Sequence, residues 1–276
     1  MDSMQVYRGM DIGTAKPSAA EQAAVPHHLI DIVDPAEDFS VVRFQGAARD
    51  AIADIEARGR RALLVGGTGL YLQAVIDDFE FPGEDPALRA AIDARYAGDD
   101  GLAAAYARLR AEDRPAAARI EPGNRRRIVR ALEVLELTGR PFSSFGPGMT
   151  ADHAVVVPVR IAGLTMAAEE TSARIEARVT AMAEAGLIDE VRALAAVPWS
   201  RTARQAIGYK EVLAFLAGEL PTVDAALTAT AQRSRSFARR QRSWFRRESR
   251  VEWFDAATGP NCSSPLGPVM AWWSAS

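Results

Sequence analysis

Cysteine is almost absent from this chain: Cys262 stands alone among 276 residues. No intrachain disulfide can form, and its Ser/Pro-rich surroundings give the thiol no chemical setting. Histidine is nearly as scarce, with only His27, His28 and His153, too few to suggest a zinc cage. No apolar run is long enough to span a bilayer, and Met1 is not followed by a basic and then apolar leader. A soluble, cytoplasmic and monomeric protein is expected. There is no excess of positive charge either: the net charge is −3 and the pI about 5.8. That excludes generic nucleic-acid coating but leaves room for a local basic surface. No GxxxxGK[ST] occurs, so the chain contains no loop of the kind that cradles phosphate with backbone N–H groups, a Lys and a Mg²⁺-binding hydroxyl.

What is present is a chain that is 48% hydrophobic and 25% charged, with alternating apolar and amphipathic stretches that indicate an α/β fold. Strands are expected at His28–Val33, Ala62–Val65, Val155–Ala162 and Val251–Phe254, that at Ala62–Val65 as a buried one. A helix is expected over Phe39–Ala57 with Ser40 as N-cap, and others near 167–185, 188–196, 204–217 and 223–247. Between residues 85 and 145 the pattern becomes Ala- and Arg-rich and purely helical, which reads as an insertion. The expected organisation is an α/β core of residues 1–84 and 146–257, the helical insertion, and a tail of 258–276. Phe142–Met149 would form the connection back to the core.

Several segments carry polar groups in arrangements suited to chemistry. Residues 1–17 pack Asp2, Ser3, Gln5, Tyr7, Arg8, Asp11, Thr14 and Lys16 among Gly9, Gly13 and Pro17, which is loop chemistry. A carboxylate such as Asp2 in a loop can accept a proton as general base, or can simply be solvated. Gly66-Gly67-Thr68-Gly69 follows an expected strand, where glycines admit a close backbone or phosphate and Thr68 offers a hydroxyl at a helix start. The same four residues also suit a tight strand-to-helix turn. Arg126 and Arg130 share a helix face, and Arg235, Arg239, Arg242 and Arg246 recur at i, i+4, i+7 and i+11. Eight arginines between Arg233 and Arg250 face only Glu248 within that segment. So few can be internally paired that phosphate contacts are suggested over a solvated face. Arg174 and Arg178 lie one turn apart, where they could either pair with Glu169, Glu170 or Glu176 or hold an anion.

Asp2-Ser-Met-Gln-Val-Tyr-Arg-Gly-Met-Asp-Ile-Gly-Thr-Ala-Lys-Pro17, Val65-Gly-Gly-Thr-Gly-Leu-Tyr71, Arg126-Arg-Ile-Val-Arg-Ala-Leu-Glu-Val134, Ile207-Gly-Tyr-Lys-Glu211 and Arg240-Gln-Arg-Ser-Trp-Phe-Arg246 closely resemble the signatures of bacterial tRNA dimethylallyltransferases. The resemblance runs from Asp2 to about Trp253; residues 258–276, with Trp272-Trp273, have no counterpart pattern. It implies a P-loop-type parallel sheet with an all-helical insertion. The implied reaction is transfer of a dimethylallyl group from dimethylallyl diphosphate to N6 of the adenine 3′ of the anticodon, with Mg²⁺ as cofactor. Residue by residue, it implies that Asp2 takes the amine proton, that Thr68 lines the reaction channel, and that Arg174 and Arg178 hold the diphosphate, Arg178 as the catalytic one. It implies tRNA contacts at Asp2, Ser3, Met4, Gln5, Thr68, Arg89, Arg126, Arg127, Ile128, Val129, Arg130, Gln205, Lys210, Arg235, Arg239 and Arg242. In that family a strand, a P-loop and a helix precede the first signature, so an amino-terminally truncated chain is expected, with impaired activity and an unpaired edge at Ala62–Val65. The alternatives are a transferase acting on free adenine nucleotides and an inactive RNA-binding fragment.

Overall fold

The structure, a computed structural model, describes residues 1–145, 154–256 and 266–274; His153, Cys262 and residues 146–149 of the expected connection lie outside them. It divides into two compact units, one of residues 1–76 with 157–276, the other of residues 77–156.

In the first unit, a loop-rich opening with one short helix, α1 (Ala19–Ala24), leads to α2 (Val41–Ala57). Ser40 caps α2 as expected, its Oγ accepting from the Arg43 N–H at 3.3 Å. α2 buries Phe44, Ala48 and Ile52, and packs beside α3 (Gly69–Ile76). The carbonyls ending α3 are satisfied from α2: Gln45 and Arg49 both donate to Ala74, and Arg49 also to Val75. The centre is apolar, with Val6, Tyr7, Met10, Phe44, Tyr71, Val75, Leu187, Val191, Tyr209 and Val212 in one cluster.

The second unit contains α4 (Pro86–Arg95), α5 (Gly98–Glu112), α6 (Arg114–Arg119) and α7 (Arg125–Thr138), followed by a 3-10 turn over Phe142–Phe145. Their amphipathic faces enclose Ile92, Leu109, Ile120, Ile128 and Leu132. Asp113 ties its end together, one carboxylate oxygen accepting from the Ala116 N–H and the other from the Ser143 N–H. Glu133 is wholly buried, but it is not alone: Arg89 and Arg130 pair with it at 2.6 and 2.9 Å, and the Asp85 N–H donates to it.

The chain then returns to the first unit through β1 (Ile161–Thr165), α8 (Ala168–Glu184), α9 (Leu187–Leu194), α10 (Tyr209–Leu216), the long α11 (Val223–Phe245), β2 (Val251–Asp255) and α12 (Leu266–Ser274). β1 and β2 pair in parallel, Ile161 opposite Val251 through Thr165 opposite Asp255. Gly163 is required in this ladder because a Cβ there would sit 2.5 Å from Val251 Cγ1.

Three expected strands need correction. His28–Val33 contributes only the bridge from Val33 to Tyr7, because Leu29 and Asp31 adopt left-handed backbone angles that break an extended run. Ala62–Val65 forms no ladder among the described residues and is not buried on both faces: Ala62 and Leu64 pack on the core, while Leu63 and Val65 are each 68% exposed. No described strand pairs with it. The return strand begins at Ile161 and not at Val155, since Pro158 has no N–H to give to a ladder.

Candidate active site

Residues 1–17 fold back on themselves through their own side chains. Asp2 accepts from the Met4 N–H at 2.8 Å through one oxygen, leaving the other without a hydrogen bond among the described residues. Gln5 spends its amide on the carbonyls of Thr14 and Ala15, both at 3.1 Å. Lys16, whose side chain is 4% exposed, bridges Asp11 and Asp31 and donates to the Tyr7 carbonyl. From outside the loop, Glu190 of α9 accepts from the N–H groups of Asp11, Ile12 and Gly13, and Tyr209 of α10 donates to the same carboxylate.

The Gly66–Gly69 turn lies between this loop and α11. A Cβ on Gly66 would stand 2.2 Å from the Met1 carbonyl oxygen, one on Gly67 would meet Gln241 Nε2 at 2.2 Å, and one on Gly69 would meet the Trp244 ring at 2.1 Å. Gln241 also donates to the Gly67 carbonyl at 3.0 Å. Glycine gives close approach at 66 to the Met1 backbone and at 69 to the Trp244 ring, while at 67 the end of the Gln241 side chain could give way. The Thr68 carbonyl accepts from the N–H groups of Tyr71 and Leu72 at the start of α3, and its hydroxyl has no hydrogen bond among the described residues. Tyr71, beneath the turn, is pushed up to about 12 by burial first, then by Tyr7 and Asp2, so it stays a neutral phenol.

The arginines divide into engaged and open groups. On α8, Arg174 pairs with Glu170 at 2.9 Å; Arg178 is exposed and has no ion pair among the described residues. On α11, Arg235 pairs with Glu176 of α8 at 3.1 Å, and Arg242 donates to the Met166 carbonyl at 3.2 Å. Among the described residues Arg239 hydrogen-bonds only to Ser236, at 2.9 Å, and Arg246 is exposed. Gln205 and Lys210 bond to each other at 3.2 Å, while Arg233 ties Glu211 to α11 at 2.9 Å. In the second unit, Arg126 and Arg127 are open, whereas Ile128 and Val129 are core residues at 0% and 4% exposure. Arg89 and Arg130 of that unit are the partners of Glu133.

The IPP transferase family model matches residues 5–248, most of the chain. The chain belongs to the IPP transferase family. It is 52% identical over 272 residues to the tRNA dimethylallyltransferase of Salinispora arenicola, covering 98% of this chain and 78% of that relative. It is 51% identical to that of Kineococcus radiotolerans, covering 96% and 81%. Among solved structures, the tRNA isopentenylpyrophosphate transferase of Bacillus halodurans superposes with a TM-score of 0.68 at 39% identity, over 99% of this chain and 86% of that one. A eukaryotic dimethylallyltransferase acting on tRNA gives a TM-score of 0.82 at 25% identity, over 99% and 71%. Of this chain's motifs, residues 2–17 form a loop and 65–71 lead into α3, while the arginine-bearing motifs lie on α7 and α11. Sequence reading passed over Glu190, Gln241 and Trp244 as site-forming residues. Glu190 sits in an ordinary amphipathic helix, and nothing local marks it as the partner of a loop far earlier in the chain.

Proposed function

We propose that this member of the IPP transferase family transfers a dimethylallyl group from dimethylallyl diphosphate to the N6 amine of an adenine in tRNA. The observation that carries this reading is the arrangement around α11: it packs on the Gly66–Gly69 turn, which itself adjoins Met1, next in sequence to Asp2, and on the arginine-bearing α8. In the proposed step, N6 of adenine attacks the allylic carbon of the prenyl donor as its carbon–oxygen bond breaks and diphosphate leaves. The open oxygen of Asp2 takes the N6 proton, and Arg178, the guanidinium of α8 without an ion pair among the described residues, offsets the charge gathering on diphosphate. Thr68 lines the path between them. Arg126 and Arg127 in one unit, and Arg239 with Arg246 in the other, are open to phosphates of tRNA.

The family's expected Mg²⁺ would be held chiefly by the oxygens of the prenyl donor's diphosphate and by water, since such Mg²⁺ ions take only one or two protein ligands. Among the described residues no three His, Cys, Asp or Glu side chains converge on one point, and no step above passes through a metal.

The test is to incubate the protein with dimethylallyl diphosphate and either unmodified tRNA or AMP, and to digest the products for mass spectrometry. Isopentenyl adenosine from tRNA alone is the expected result. Prenylated AMP would move the activity to free nucleotides, and no product with either acceptor would refute the transferase reading.

A further inference from the structure

Residues 11–13 of the signature loop are fastened by a carboxylate of α9. Successive N–H groups at Asp11, Ile12 and Gly13 converge on Glu190, at 3.0, 2.8 and 3.3 Å. Converging backbone donors of this kind form a small anion-binding nest. The Tyr209 hydroxyl completes it: it donates to Glu190 and accepts from the Gly13 N–H at 3.2 Å. Gly13 is also where the ring is closest, since a Cβ there would lie 2.3 Å from Tyr209 Cε2. Inside the loop, Gln5 and Lys16 link residues 14–16 to residues 5–7. Constraint applied at residues 11–13 is thereby passed toward Met4 and Asp2.

We propose that Glu190 is a positioning residue: its carboxylate is the built-in anion of the Asp11–Gly13 nest and holds the loop in the one shape that presents Asp2. It touches none of the reacting atoms. The inference rests on the reading of Asp2 as the base, and it names a residue on another helix as the source of that base's placement. A carboxylate suits the role because it offers acceptor lone pairs only, matching donors on every side, and charged acceptors make the stronger hydrogen bonds. A Gln of the same size would turn an N–H₂ group toward those donors.

The test compares Glu190→Ala, Glu190→Gln and Tyr209→Phe with the unaltered protein by amide hydrogen exchange and by steady-state transfer kinetics, with and without added acetate. In Glu190→Ala, exchange at residues 11–13 and 2–7 should speed up by about tenfold or more, with α11 and the second unit unchanged. The kcat should fall by about ten- to a hundredfold with the KM for tRNA held. Acetate, entering the vacated nest, should restore part of both. Glu190→Gln should resemble the Ala variant, and Tyr209→Phe should be milder. Unchanged loop exchange would overturn the proposal. So would faster exchange throughout the chain with no response to acetate, which would make Glu190 an ordinary stability residue. Absence of transfer by the unaltered protein would instead refute the proposed function, while the exchange comparison would still decide whether Glu190 holds the loop.

Discussion

Replacing the Asp2 carboxylate with an amide keeps its volume and its bond to the Met4 N–H but removes the base. Asp2→Asn should slow the chemical step by roughly a hundredfold or more with tRNA affinity unchanged, since general-base catalysis contributes on that order. Single-turnover kinetics alongside a binding titration separates the two, and near-normal turnover would take Asp2 out of the mechanism. Arg178→Ala should lower kcat and weaken binding of the prenyl donor, whereas Arg174→Ala should do less because Arg174 already pairs with Glu170. A defect of Arg178→Ala confined to tRNA binding would reassign that residue. Sequence resemblance supplied Asp2, Thr68 and Arg178 directly. It did not distinguish open from engaged arginines, because engagement depends on partners such as Glu133 for Arg89 or the Met166 carbonyl for Arg242, each brought close only by folding.

The helix α11 shows how unevenly an evenly spaced stripe is used. Arg235, Arg239, Arg242 and Arg246 look equivalent in sequence, yet Arg235 and Arg242 are tied to α8 and to the segment before it. The double change Arg239→Ala with Arg246→Ala should therefore weaken tRNA binding and flatten its salt dependence by about one unit of slope per lost phosphate contact. Arg235→Ala should act more weakly. Equal effects in filter-binding titrations over a salt series would show that the pairing does not matter. Gly69→Ala tests the other side of the helix: its Cβ would overlap the Trp244 ring, so the turn and α11 must separate and turnover should fall. Helices such as α2, with its Ser40 cap, were legible because the signals are local. Strands were not, because pairing is settled by distant neighbours: Leu29 and Asp31 twist out of one expected strand, and Leu63 and Val65 face outward from another.

At the scale of the whole molecule, a wholly buried carboxylate stands in the helical unit, at Glu133. Burial opposes its charge, but Arg89, the Asp85 N–H and Arg130 outweigh burial and hold its pKa below the ordinary 4.5. A depressed carboxylate contributes stability that is present above the unfolded-state pKa and is lost as pH falls through the folded-state value. The helices α4 and α7 should thus loosen progressively below about pH 4.5, as read by amide exchange, and Glu133→Gln should flatten that dependence. Glu133→Ala removes the buried carboxylate from two guanidinium groups, leaving Arg89 with Glu84 and Arg130 with the Pro82 and Gly83 carbonyls, and should cost roughly 3 kcal/mol in chemical denaturation. An acid response identical in Glu133→Gln would place the sensitive group elsewhere, with Glu136, also held low against burial by Arg108 and Arg95, the next to test.

The contact of Gly13 with the Tyr209 ring also bears on how such sequences can diverge. The two positions are 196 residues apart in the chain, yet neither can change freely: a side chain at 13 needs the room the ring occupies, and loss of the ring uncovers the nest. Substitution at either place by itself should be purged, while a paired exchange, a larger residue at 13 with a smaller one at 209, could persist. Across related chains the two sites should therefore covary, and a Gly13→Ala defect should be partly relieved by Tyr209→Ser but not by Tyr209→Phe, which keeps the ring. Independent drift at the two sites would show that the loop can find another seat.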